Sequence, residues 1–308
     1  MKICSLLPSA TEILFALGLG EQVAGVSHEC DFPPEARSKR VLIRSRITHT
    51  ESAAAIDAQV REFLARGESL YSVDFDALRE IEPDLIVTQD LCHVCAATPD
   101  DLASALAQLP RQPRVITLNP HSLADVWADI LRVGEATGRK EQAEDLVAEW
   151  KKSVEAIERG VTGLDRPRVV CLEWLDPPYV AGHWVPEMVA RAGGEDVLGH
   201  AGEPSFRVEW PAILAARPEF VFIMPCGYDL EKAAAEFRAL ELPQGWNDLP
   251  AVRDGRVFAV DACSYFSRPG PRLVHGLMIL GLTLHSRHLP ARVSDDAIRR
   301  IERASAAE

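Results

Sequence analysis

Between Arg139 and Arg159 the apolar residues fall at Ala143, Leu146, Val147, Trp150, Val154 and Ile157, while Glu, Lys and Arg fill the remaining positions. That three-and-four spacing is one stripe of an α-helix. At 1.5 Å per residue the stretch spans about 30 Å. Gly134 and Gly138 precede it, Gly160 and Gly163 follow it, and no Pro or Gly interrupts it. The pattern predicts one long helix over 139–159, and the sequences on its two sides resemble each other.

Glu12-Ile-Leu-Phe-Ala-Leu-Gly18 before it is matched by Glu187-Met-Val-Ala-Arg-Ala-Gly193 after it. Likewise Glu80-Ile-Glu-Pro83-Asp-Leu-Ile-Val87 is matched by Ala215-Ala-Arg-Pro218-Glu-Phe-Val-Phe222. Each of the second pair reads as a helix end, a proline that stops it, an acid, and an apolar run suited to a buried strand. The first half holds about forty more residues between these landmarks, expected within Ile47 to Ser72. The chain therefore reads as α/β, with two lobes joined by a single long α-helix. The expected divisions are 1–138, 139–160 and 161–288, with a tail over 289–308 that frays.

Short apolar runs predict strands at Ile3–Leu7, Val23–Val26, Val41–Ile43, Leu85–Thr88 and Val115–Leu118 in the first half. In the second half they predict strands at Arg168–Leu172, Phe220–Met224 and, as the last one, Val257–Val260. Ser9-Ala-Thr-Glu12 is a capping box opening a helix that ends near Gly18. Further helices are expected at Ser52–Arg66, Asp74–Ile81, Thr98–Leu109, Ser122–Glu135, from Pro186, and at Trp210–Ala216 and Leu273–Leu284. Open α/β sheets bind ligands beyond the carboxyl ends of their strands. Those ends deliver Pro8-Ser9, His28-Glu29-Cys30, Gln89-Asp-Leu-Cys92-His93-Val-Cys95, an aromatic loop over Glu173–Tyr179, Cys226-Gly-Tyr228 and Tyr265-Phe266-Ser267-Arg268. Gly182-His183-Trp184 leads into the helix from Pro186.

Composition narrows the possibilities. Length of 308 residues permits two cores, and a net charge of −13 disfavours nucleic acid and anionic membrane surfaces. No apolar run approaches the roughly 20 residues of a membrane span, so no membrane insertion is expected. Met-Lys runs directly into a strand without an apolar leader, which gives a cytoplasmic expectation, with a periplasmic or extracellular one if a signal segment had been removed. Seven cysteines without a regular framework suit a reducing compartment. No Walker loop and no Gly-rich dinucleotide fingerprint appears. Cys92 and Cys95 have the spacing of a redox pair or of two thiolates on a soft metal, and His28 and Cys30 would complete a set of four. A ligand-lining role for these residues stands beside the metal and the redox readings. Trp174, Tyr179, His183, Trp184, Tyr228, Tyr265 and Phe266 sit in Pro- and Gly-punctuated segments, as in pockets for flat organic ligands.

Taken in order and spacing, Ser5-Leu-Leu-Pro8-Ser-Ala-Thr-Glu12, Val23-Ala-Gly-Val-Ser27 with Asp31-Phe-Pro-Pro34, Pro83-Asp-Leu-Ile-Val87, Gly193-Gly-Glu195 and the Phe266–Arg272 loop resemble class III substrate-binding proteins of ABC importers. The resemblance runs from about Lys2 to Leu284 and is nearest to the cobalamin-binding members. It implies two Rossmann-like lobes with a ligand cleft between them, and non-catalytic binding of cobalamin or another corrinoid or metal chelate, with no cofactor required. The residues it points to are Pro8, Ser9, His28, Glu29, Gln89, Asp90, Leu91, Cys92, His93, Trp174, His183, Trp184, Cys226, Tyr228, Tyr265, Phe266 and Arg268. His28, His93 or a Cys would reach the metal, with Trp174, Trp184, Tyr265 and Phe266 packing on the macrocycle. It also implies an ABC importer permease as partner, docked through Asp100 or Asp101. Gln89-Asp90 stands where the B12 binder has an aromatic, and Ser267 where it has a Glu. Two other readings compete: a cytosolic metal- or thiol-dependent protein centred on Cys92 and Cys95, and a ligand sensor that retains the fold.

Overall fold

The computed structural model describes residues 1–48, 52–89, 106–107, 109–289 and 293–301. Two compact units emerge: Met1–Pro120 with Ala124–Val147, and His121–Leu123 with Ala148–Glu308. The division falls inside the long helix, whose observed span is Lys140–Val161.

The first unit contains β1 (Ile3–Ser5), α1 (Pro8–Ala16), β2 (Val23–Ser27), β3 (Arg40–Ser45), α2 (Ala53–Ala65), β4 (Tyr71–Val73), α3 (Phe75–Ile81), β5 (Leu85–Gln89), β6 (Arg114–Leu118) and most of α4 (Leu123–Thr137). Its sheet runs β4-β3-β2-β1-β5-β6, parallel throughout except for the antiparallel β3–β4 edge. Every residue of β1 and β5 is buried, as parallel strands covered on both faces require. Strand order turns back at β1, so β1 and β5 flank the switch point of the sheet. The expected extra region supplies α2 and the start of β4. Ser52 caps α2 by accepting a bond from the Ala55 amide at 3.3 Å.

The long helix is α5 (Lys140–Val161), and Ala143, Val147, Trp150 and Val154 of its expected stripe are buried. Gly134 lies inside α4, as the helix expected over Ser122–Glu135 has it; a Cβ there would come within 2.4 Å of the Ala143 Cβ. The missing side chain lets α4 and the start of α5 approach.

The second unit contains β7 (Arg168–Leu175), β8 (Pro178–Val180), α6 (Val185–Arg191), β9 (Glu195–Asp196), β10 (Phe206–Arg207), α7 (Trp210–Ala216), β11 (Phe220–Ile223), α8 (Leu230–Ala239), α9 (Pro250–Arg253), β12 (Val257–Val260), α10 (Ala262–Tyr265), α11 (Leu273–Leu284) and β13 (Ile298–Arg300). Its sheet runs β10-β8-β7-β11-β12-β13, with β9 also pairing β7. Here β7, β11 and β12 are parallel, while β8, β10 and β13 add antiparallel edges.

The matched segments in the two halves build the same device. Glu82 and Arg217, each directly before its proline, take left-handed conformations as the C-caps of α3 and α7. The acid after each proline then clamps the first strand of its unit. Asp84 accepts the Lys2 amide at 2.9 Å, and Glu219 accepts the Arg168 amide at 2.9 Å.

Two expectations need correction. Residues 173–179 are a β-hairpin and not a loop: Trp174 pairs with Tyr179 and Leu175 with Pro178 across β7 and β8. Pro178 is tolerated because it opens its strand and still offers a carbonyl, which accepts the Val208 amide. The tail does not simply fray, and Val257–Val260 is not the last strand. Ile298–Arg300 pairs antiparallel with β12, and Ala297 and Ile301 on either side of it are buried.

Candidate functional site

In the first unit, chain ends at the switch point bring Pro8 and Ser9, the first residues of α1, next to Gln89 at the end of β5; the Leu6 amide donates to the Val87 carbonyl at 2.9 Å. Ser9 is buried, and its hydroxyl has no hydrogen-bond partner. Behind it the Thr11 hydroxyl donates to Ser5 Oγ at 2.8 Å and lies 3.1 Å from Cys30 Sγ. Cys30 is therefore packed into the core beneath α1, with its sulfur committed to Thr11 and to the Ser5 carbonyl.

His28 follows β2 and stays half-buried at the rim. Its Nε2 accepts the Ser45 amide at 3.4 Å and lies 3.9 Å from a Glu29 carboxylate oxygen. Burial lowers its pKa, against a smaller upward contribution from a hydrogen bond to Ile43. Asp90, Leu91, Cys92, His93, Cys95, Asp100 and Asp101, and most of the helix expected at Thr98–Leu109, lie outside the described residues. Among the described residues no three His, Cys, Asp or Glu side chains are grouped to hold a metal ion.

In the second unit, Trp174 on β7 meets Tyr228 edge-on at 5.5 Å, and Lys232 Nζ sits 3.9 Å over the Tyr228 ring. Tyr228 belongs to the core, and burial raises its phenol pKa. Trp184 is buried, and its indole N–H donates to the Phe266 carbonyl at 2.8 Å, while Phe266 itself is only 2% exposed. Both side chains pack inside against the 266–272 segment. Tyr265, Cys226 and Arg268 remain partly exposed at the rim. Tyr265 ends α10 with its ring 6.4 Å from that of His275.

His183 lies half-buried just before α6, with φ +52. Its amide donates to the Glu203 carbonyl and its own carbonyl accepts the Gly202 amide, so the 196–206 loop holds it in place. Its ring centre is 5.7 Å from that of His121. Burial lowers the His183 pKa, and the nearby His121 charge adds to the effect.

Sequence reasoning missed His121 and Asp129. Both carry a readable signal: His121 follows the end of β6, and Asp129 stands on the apolar stripe of α4 between Val126 and Val133. Asp129 is buried, pairs through one oxygen with Arg132, and leaves the other without a partner. Burial pushes its pKa up to about 6 despite Arg132. It lines a cavity of about 360 Å³ with Asn119, Asp125, Ala128 and Arg132. No described helix is long and apolar enough to cross a membrane.

The family model described as periplasmic binding protein matches residues 3–263. An uncharacterized ABC transporter substrate-binding lipoprotein, YvrC of Bacillus subtilis, is 26% identical over 92% of this chain and 80% of its own length. A vitamin B12-binding protein of Vibrio vulnificus is 22% identical over 88% of this chain and 85% of its own. Among solved structures, a periplasmic heme-binding protein from Pseudomonas aeruginosa superposes with a TM-score of 0.73 at 19% identity, covering 99% of both chains. Nothing in these relatives supports the cytoplasmic expectation, since their names place them as a lipoprotein or in the periplasm. With the doubled α/β architecture, the joining helix and a match over most of its length, this chain belongs to the periplasmic binding protein family.

Proposed function

We propose that the chain binds a metal chelate of the corrinoid or porphyrin type, without altering it, for delivery to an ABC importer permease. The observation that carries this reading is the site's place in the topology. The order of the first sheet reverses at β1 and β5, and the residues picked out for ligand contact, Pro8, Ser9 and Gln89, stand at their carboxyl ends. At the rim of the second unit, Tyr265 and Cys226 are partly exposed, and Trp174 is partly buried. Aromatic faces with a few polar groups suit a large flat ligand. The vitamin B12-binding and heme-binding names among the relatives support the same ligand class. A cobalamin is the first candidate, and heme the second.

Titration of the full chain with cyanocobalamin, hemin and a ferric siderophore, followed by absorbance and calorimetry, tests the proposal. Saturable binding of one of them at micromolar protein is expected, and it should weaken about tenfold in H28Q and in Y265A. A flat response to all three would overturn it.

A further inference from the structure

The structure points to a transition-metal site that does not depend on chelate binding: we propose that His121 and His183 together hold one divalent cation of the zinc class. Both residues belong to the second unit, and each side chain is partly exposed to solvent. A zinc–imidazole bond of about 2.0–2.1 Å, with about 1.1 Å more from nitrogen to ring centre, puts each ring centre about 3.2 Å from a shared ion. The observed 5.7 Å between ring centres lies within the roughly 6.4 Å that two imidazoles on one ion can span. Among the described residues no third His, Cys, Asp or Glu is grouped with the pair.

The backbone singles out His183. Three described non-glycine residues have positive φ: Glu82, His183 and Arg217. Two of them are helix C-caps, where the left-handed conformation is ordinary. His183 caps no helix, and strain of this kind collects where a side chain must be presented. Beside it Gly182 is closed in by the chain itself, since a Cβ there would meet the Glu203 carbonyl oxygen at 2.4 Å. On the other side, the Leu123 amide donates to a Glu187 carboxylate oxygen at 2.9 Å, tying the 121–123 segment to α6. Burial also holds His183 toward its neutral form, the form that ligates.

The test is calorimetric titration of the untagged full chain with Zn²⁺, paired with Co²⁺ absorbance to report coordination geometry. Wild type should take up one ion per chain, with visible Co²⁺ bands of tetrahedral type. In H121Q and H183N affinity should fall at least about tenfold. Asn suits a left-handed backbone, so H183N should keep the wild-type melting temperature. No saturable uptake by wild type, or uptake unchanged in both variants, would overturn the proposal.

Discussion

Single residues in this chain report the cost of burial. Asp129 has a folded pKa of about 6, raised from 3.8 by desolvation. Its unfolded form ionises more easily, so its contribution to stability is full below about pH 4 and is lost as the pH rises through about 6. The stability of wild type relative to D129N, which cannot titrate there, should therefore fall by about 2–3 kcal/mol between pH 4 and pH 7.5. Urea melts at a series of pH values would show it, and a difference independent of pH would contradict it. Gly193 makes a second case. It has φ +80, and a Cβ would stand 2.6 Å from His285 Nε2 and 2.9 Å from the Val161 Cβ. Gly202 has the same φ with nothing within 4 Å. G193A should lose about 2–4 kcal/mol and G202A only about 1, since the second bears backbone strain without a clash. Equal losses in thermal melts would show that strain alone decides both.

Local rules that act within a few residues were the readable part of the elements. A proline after a helix end, followed by an acid and an apolar run, was visible at Pro83 and Pro218, and both became left-handed cap, clamp and buried strand. The stripe of α5 was equally plain. What stayed hidden depended on partners distant in sequence. Asp176-Pro177 read as loop because prolines break strands, yet it turns a hairpin whose pairing needs β10 as well. Ile298-Arg-Arg-Ile301 read as a fraying tail because charge dominates it, and charge is what an exposed edge strand carries. At the candidate site, strand-end loops were legible from position, but burial of Trp184, Phe266 and Cys30 was not, since it depends on packing from other elements. If β13 closes its sheet, truncation after Leu289 should lower stability by about 2–4 kcal/mol through loss of buried Ile301 and Ala297, and should promote self-association through the freed β12 edge. An unchanged melting temperature and a monomeric sedimentation profile would contradict this. The exposed Arg299–Glu231 pair should account for little of that loss.

For the whole molecule, the doubled α/β architecture and the match to the periplasmic binding protein family fit a ligand-binding role. Each unit is a sheet whose parallel strands end in loops of polar and aromatic residues, and the proposed ligand contacts lie at such ends. Charge agrees with a small-molecule role, because −13 rewards neither nucleic acid nor anionic lipid. The central claim is that the protein holds a chelate and returns it intact. Equilibrium dialysis of the full chain against cyanocobalamin and, separately, hemin, with the ligand recovered by denaturation and analysed chromatographically, tests that most directly. The expected result is saturable retention of one chelate, recovered with its absorption spectrum and mass unchanged. Retention of neither ligand, or recovery of a chemically altered one, would contradict the account.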